Sequence, residues 1–341
     1  MSTADAVGGV APERGSSFTA TVVGKSLRGS RVDVRGLVFQ GALVLCLLTC
    51  LAFIVTLVGT VLADGWGTFS DRGFGFVTDE LSTSPSRAGV AQGVIGSLMI
   101  AAFVAVIAFP LGIATAVYLE EFAPDNWLTR FIALNIRNLA GVPSVVYGLL
   151  GLAIFVELLG RDAGFNGGEG LTGATSVISA GLTLAILVLP IVIITASEAI
   201  RAVPGSLREG GYGVGATRWE VVRRLVLPNA APGILTGTVL ALSRALGETA
   251  PLILVGAVFG LFYNTPNEGF VEYFTAPNES FGDQLQGSFT ALPMVIYNWA
   301  GEADREFKRA LAPAAILVLM AITFLCNLVA VLLRNRYEKN W

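Results

Sequence analysis

The chain contains no histidine. That excludes imidazole acid–base catalysis, Ser–His dyads and His-ligated metal sites. Cysteine is scarce: Cys46, Cys50 and Cys326 all lie inside apolar runs. They offer neither a metal-ligand set nor a soluble disulfide framework, and read as small buried or lipid-facing residues. Charge is scarce too, at 14% of residues against 54% hydrophobic. That balance excludes an ordinary soluble domain and points to a polytopic membrane protein. No paired acids fall inside the apolar runs, so an intramembrane aspartyl enzyme is excluded as well, and no cofactor is expected.

What is present is a series of long apolar runs. A helix rises about 1.5 Å per residue and the hydrocarbon core is about 30 Å thick, so about 20 residues suffice to cross. The sequence predicts an all-α polytopic fold with six transmembrane helices, near 37–63, 92–119, 141–159, 175–197, 232–262 and 310–333. Residues 1–35 form a polar tail, expected to be disordered and cytoplasmic. Residues 36–90 hold the first span and a polar outer loop, 91–335 the main transmembrane domain, and 336–341 a short basic tail. Gly93, Gly96 and Ser97 suit close helix packing in the second span. Residues 126–139 read as an amphipathic interfacial helix. Pro143 is expected in the first turn of the third span, and Pro190 is expected to kink the fourth.

Of the 22 Lys and Arg residues, fifteen lie in the tails, in 120–138 and in the loop 198–228. Six lie in the opposite loops, and the last is Arg244. The bias puts both termini and the 198–228 loop in the cytoplasm.

That loop, Glu198 to Pro228, organises the chain. Ser206 precedes Glu209, and Thr217 precedes Glu220, by three residues each. Both pairs fit a capping box, so a helix–turn–helix outside the bilayer is predicted. Gly215 falls where the first short helix needs a left-handed residue, and Pro228 is expected to stop the second. Gly210, Gly211 and Gly213 should leave one helix face bare, open to another backbone. Trp219, Val222 and Leu225 or Val226 should pack back against the spans.

Glu209-Gly210-Gly211, then Gly215, then Leu227-Pro228 resemble the coupling loop of permease subunits of ATP-binding-cassette importers. There the pattern is E-A-A, three residues, G, and a later L-P. Further runs sharpen the likeness: GVPSVVYGLLGL at 141–152, REGGYGVGATRW at 208–219, LPNAAPGILTGTVLALSRALGETAPLI at 227–253 and FTALPMVIYNWA at 289–300. These look like the phosphate-importer permease of the PstA type. The resemblance implies a type I importer permease (MetI-like) fold and phosphate as cargo. It implies a sister permease of the PstC type, an ATPase dimer of the PstB type and an external phosphate-binding protein of the PstS type. Catalysis would belong to the ATPase, which Glu209, Gly210, Gly211 and Gly215 would contact.

Two further expectations concern the cargo. Arg244 lies about twelve residues into its span, hence about 18 Å deep. A charge there costs several kcal/mol unless it is paired or faces a cavity. Glu248, four residues on, shares its face. Arg244, Glu248 and Thr249 are therefore candidate path residues, with an internal salt bridge as the alternative. Pro251 is expected to bend this helix. The acidic, aromatic loop 263–308 is expected to dock the external protein through Phe289 and Trp299, or else to cap the outer gate. Another oxyanion, molybdate or sulfate, is the alternative cargo. An ion-gradient-driven transporter is the rival class, but no internal repeat supports it.

Overall fold

The computed structural model describes residues 34–160, 172, 175–257, 285 and 289–337. Among these there is no strand; the fold is built from helices. The chain divides into two units, residues 1–59 and 60–341.

In the first unit, helix α1 (Val34–Arg72) begins and presents apolar side chains all round. Leu37, Phe39, Leu47 and Phe53 are each more than 60% exposed. Such a surface is stable in lipid and not in water.

In the second unit, α1 continues nine residues beyond the expected end at 63. The reason is a neighbour that the local sequence does not reveal. A Cβ on Gly65 would come within 2.9 Å of Ala314 N, and Thr68 Oγ1 donates to Ala310 O at 3.4 Å.

A single helical turn, Gly75–Thr78, comes next, and the remaining helices follow in chain order. They are α2 (Ala91–Val117) with a π turn at Tyr118–Phe122, α3 (Trp127–Ala140), and α4 (Ser144–Gly151) with a π turn at Leu152–Leu158. Next come α5 (Val177–Arg201), α6 (Gly205–Gly213), and α7 (Arg218–Val221), which runs through a π turn at Val222–Val226 into α8 (Leu227–Gly247). Last are α9 (Ala250–Leu254), α10 (Leu292–Gly301), and α11 (Ala312–Tyr337) behind a π turn at Phe307–Leu311.

Five of these segments are long and apolar enough to cross a membrane, and the bent pair α3–α4 supplies a sixth. The pair is bent by 101°. Gly141-Val142-Pro143 makes the corner, because Pro143 cannot continue the ladder of α3. Pro143 is the N-cap of α4 rather than a residue of its first turn. The 15 residues of Ser144–Leu158 reach only about 22 Å. This span is therefore short, and it packs on α9, which has five residues. A Cβ on Gly148 would meet Pro251 Cα and Leu254 Cδ1 at 2.8 Å, so the glycine lets α9 lie against α4.

The packed interior falls into three clusters. The middle one joins Val104 and Ala108 of α2, Leu184, Val188 and Val192 of α5, and Ala241 and Ala245 of α8. A second gathers Phe76, Val90, Leu292, Val295, Trp299, Phe307 and Ala314. The third holds Ala116, Ala196, Ile200, Val221, Val222, Val226 and Ala230 beside the 198–228 loop.

Candidate functional site

The 198–228 loop forms the expected helix–turn–helix, by partly different means. The second box is present: Thr217 Oγ1 accepts from Glu220 N at 3.4 Å, and Glu220 Oε2 accepts from Thr217 N at 2.9 Å. Gly215 sits at φ +82°, in the left-handed region that glycine occupies without strain. The first box is absent. Pro204 caps α6 and the helix starts at Gly205, two residues too early for Ser206 to cap it. Pro228 does not stop the second helix either. The wide π turn at Val222–Val226 lies directly before it and absorbs the break in the ladder that a missing N–H causes.

The glycines divide between two faces. Gly211 is buried: a Cβ there would meet Val221 and Leu225 side chains at 2.8 Å. Gly210, Gly213 and Gly215 have nothing within 4 Å of a Cβ. Glu209 is exposed and has no hydrogen-bond or ionic partner among the described residues. Tyr212 and Val214 are also exposed, Val214 at 84%. Behind this face Val221, Val222 and Val226 are buried in the third cluster, while Trp219 lies outside it, half exposed and tilted over Phe122 at 6.5 Å. The loop thus has a packed inner side and an outer side of bare backbone, one free carboxylate and unburied apolar groups.

Polar anchoring of the loop escaped the sequence reading. Arg208 donates to Glu121 Oε1 from Nε (3.0 Å) and Nη2 (2.8 Å), to Val203 O (2.7 Å) and to Ile200 O (2.9 Å). Glu121 is 5% exposed. Next to it, Glu120 pairs with Arg201 at 2.6 Å. The visible signal was two adjacent glutamates ending an apolar run, but the π turn that aims both toward the loop is not encoded in any local pattern.

Deep in the chain, Arg244 Nε and Glu248 Oε1 lie 3.1 Å apart. The arginine side chain is 43% exposed and the carboxylate 17%. The expected single span ending near 262 is interrupted here. Glu248 is the C-cap of α8 with extended backbone, and α9 starts two residues later. The break lies at Glu248–Thr249; Pro251, expected to bend the helix, instead sits in the first turn of the new one. Thr236, Leu240, Arg244 and Gly247 are exposed at helical spacing, and a Cβ on Gly247 would meet nothing within 4 Å. The pair therefore ends a stripe of α8 that this chain leaves uncovered. Behind it, Ser243 Oγ donates to Asn327 Oδ1 at 2.6 Å and ties α8 to α11.

Phe289 and Trp299 are placed otherwise than expected. They are 1% and 0% exposed. Phe289 belongs to the middle cluster, and Trp299 is wedged between Phe76 and Phe307, at centroid distances of 6.3 and 5.6 Å. Neither ring is free to meet another protein. The cause is simple: a large aromatic in an outer loop can just as well be covered by its own chain, and here Phe76 of the single turn Gly75–Thr78 and Phe307 of the π turn before α11 flank Trp299, while the middle cluster encloses Phe289. Of the loop expected to dock, 263–284 and 286–288 lie outside the described residues. Trp299→Ala is expected to cost about 3–5 kcal/mol of stability, as for other buried large-to-small changes. A fall in the thermal midpoint of the detergent-solubilised protein measures it. Trp299→Phe should cost far less, because the indole Nε1 it discards has no hydrogen-bond partner among the described residues.

The profile of the family described as binding-protein-dependent transport system inner membrane component matches residues 108–340. The phosphate transport system permease protein PstA 1 of Mycobacterium tuberculosis (strain CDC 1551 / Oshkosh) is 32% identical over 286 residues, covering 82% of each chain. The phosphate transport system permease protein PstC of Mesorhizobium japonicum is 32% identical over 260 residues, covering 70% of this chain and 78% of that one. Among solved structures, a bacterial alginate ABC transporter in complex with an alginate pentasaccharide-bound periplasmic protein aligns with TM-score 0.59 at 16% identity. The alignment covers 90% of this chain and 96% of that chain and speaks to the fold alone.

Proposed function

Because the chain belongs to the binding-protein-dependent transport system inner membrane component family, we propose that it is the membrane-spanning permease subunit of an ATP-driven phosphate importer. It is a multi-pass membrane subunit without catalytic activity of its own; ATP hydrolysis belongs to a separate subunit. The observation that carries this reading is the uncovered outer side of the 198–228 loop, combined with relatives named as phosphate permeases over most of both chains. Relatives named PstA and PstC match at much the same identity and over similar lengths, so the PstA type rests on the runs at 141–152, 208–219, 227–253 and 289–300. Its partners are then a PstC-type sister permease, a PstB-type ATPase dimer and a PstS-type external binding protein.

In this reading α6 sits on the ATPase. Glu209 meets a basic or hydrogen-bonding group there, while Gly210, Gly213 and Gly215 admit the partner's backbone; Gly211 serves the inner packing instead. The uncovered stripe of α8 forms one wall of the path and the sister permease the other. Arg244 offers a planar fork to two oxygens of a tetrahedral anion, and Glu248 and Thr249 stand beside it at the helix break. Both termini and the loop face the cytoplasm, where ATP is available; the distribution of Lys and Arg supports this.

Uptake assays with radiolabelled phosphate, sulfate and molybdate in proteoliposomes holding the whole complex test the proposal. ATP-dependent accumulation of phosphate, with little of the other two, is expected. Accumulation of molybdate or sulfate instead would reassign the cargo. Accumulation without ATP, driven by an ion gradient, would overturn the class.

A further inference from the structure

Helix α2 belongs to all three packed clusters, the one helix among the described residues to do so. Val94 is in the cluster around Trp299, Ile100, Val104 and Ala108 are in the middle one, and Ala116 and Val117 lie beside the 198–228 loop. Its 27 residues extend about 40 Å. Both ends are fastened by specific contacts. At the N-terminal end Ser97 Oγ accepts from Leu292 N at 2.9 Å, and any side chain on Gly96 would collide with Thr290 O. This end therefore touches the backbone that opens α10. At the C-terminal end the π turn carries Glu121, held twice by Arg208 of α6.

Helix α6 has little rigidity of its own. Four of its nine residues are glycine, each about 1 kcal/mol poorer than alanine in a helix, and no side chain caps its start. Arg208 is its polar tie to the rest of the molecule among the described residues. A guanidinium with four short bonds to a buried carboxylate and two carbonyls is a stiff joint, because loosening it strands buried charge.

We propose that Arg208 and Glu121 are positioning residues that join the coupling helix to α2, and that α2 carries displacement between α6 and α10 as one rod. The inference deepens the function proposed above and rests on α6 being the ATPase contact. A push on α6 moves Glu121. The π turn transmits it because its side chain is locked, and the far end of α2 shifts the start of α10 through Ser97 and Gly96. Glu120, paired to Arg201 at the end of α5, holds the same turn against the fixed wall of the bundle.

The test uses the assembled complex in nanodiscs with its ATPase and external binding protein. Hydrogen–deuterium exchange of residues 289–301 is followed with and without ATP, together with ATPase rates with and without loaded binding protein. In the parent complex ATP should change exchange in that segment. Arg208→Gln and Glu121→Gln should abolish that change and lower stimulation at least fivefold, with the basal rate and assembly kept. Arg208→Lys, which keeps charge but not the fork, should fall between; it also serves if the glutamine variant fails to assemble. Ser97→Ala should lower stimulation alone, and adding Arg208→Gln should make it no worse than the weaker single variant, because a rod broken at one end is already broken. Additive losses, or an ATP response at 289–301 that persists in the Arg208 and Glu121 variants, overturn the proposal. So does a parent complex without that response. Gly215→Asp separates the two layers. If it leaves import coupled, the ATPase contact itself is misplaced; if it uncouples while Arg208→Gln does not, the rod alone fails.

Discussion

Replacing Arg244 with glutamine is expected to abolish import while the chain still inserts and assembles with its partners. The side chain is 43% exposed, on a stripe of α8 that this chain does not cover, so its removal leaves no cavity in the packed clusters. What is lost is the fixed positive charge. An anion crossing a low-dielectric region needs a compensating charge, and among the described residues no other cation lies within the α8–α9 region. A hundredfold fall in the uptake rate corresponds to about 2.7 kcal/mol of lost barrier lowering, modest for a charge-assisted contact in such a place. Glu248→Gln should act differently. Near neutral pH phosphate keeps an O–H that a carboxylate can accept, whereas sulfate has none and is repelled. The variant should therefore lower phosphate flux and narrow the preference over sulfate. Uptake of both anions is to be measured with a variant complex that transports without its binding protein, so that external selection is absent. A phosphate-to-sulfate ratio unchanged by Glu248→Gln would make the pair a salt bridge that holds the helix break, and nothing more.

Gly215→Asp should separate ATP hydrolysis from transport. A Cβ at this position would meet nothing within 4 Å, so the chain's own packing has room for it. The backbone at φ +82° disfavours most side chains, but aspartate tolerates that region better than most. The variant should thus fold and insert. Its effect falls on whatever covers the turn. An unpaired carboxylate pressed into an interface costs several kcal/mol, and about 2.8 kcal/mol is already a hundredfold in affinity. Import should fall by that order, and loaded binding protein should no longer stimulate ATPase activity. Gly215→Ala carries the backbone strain without the charge and should lie close to the parent. If Gly215→Asp imported phosphate normally, the loop would not be the ATPase contact.

The helical membrane architecture could be read from the sequence because each apolar run states its own length. Gly215 and the Thr217–Glu220 box could be read for the same reason: turn and capping chemistry are local. The first capping box misled because Ser206 is a good cap only if the helix waits for it, and Pro204 starts the helix earlier. Pro228 and Pro251 misled because neither sits where its missing N–H would open an α-helical ladder. One follows a π turn, the other opens a new helix. The break at Glu248 and the reach of α1 to Arg72 depend on tertiary partners, and no window along the chain contains both members. The same holds for Arg208 and Glu121, 87 residues apart. Trp299 shows the limit of composition: an aromatic, acidic loop fits a docking surface, yet its tryptophan fills the chain's own interior.

The π turn at Val222–Val226 has a consequence for how this chain tolerates changes of length. A π turn holds one residue more than an α turn over the same rise. A single deletion inside 222–226 would close it into an ordinary turn, and α8 beyond it would keep its phase, with Arg244 still on the uncovered stripe. The same deletion a few residues later, within α8, would rotate everything downstream by about 100° and turn Arg244 toward the packed interior. The helix thus carries its own spare residue, placed between the loop proposed to meet the ATPase and the arginine proposed to meet the cargo.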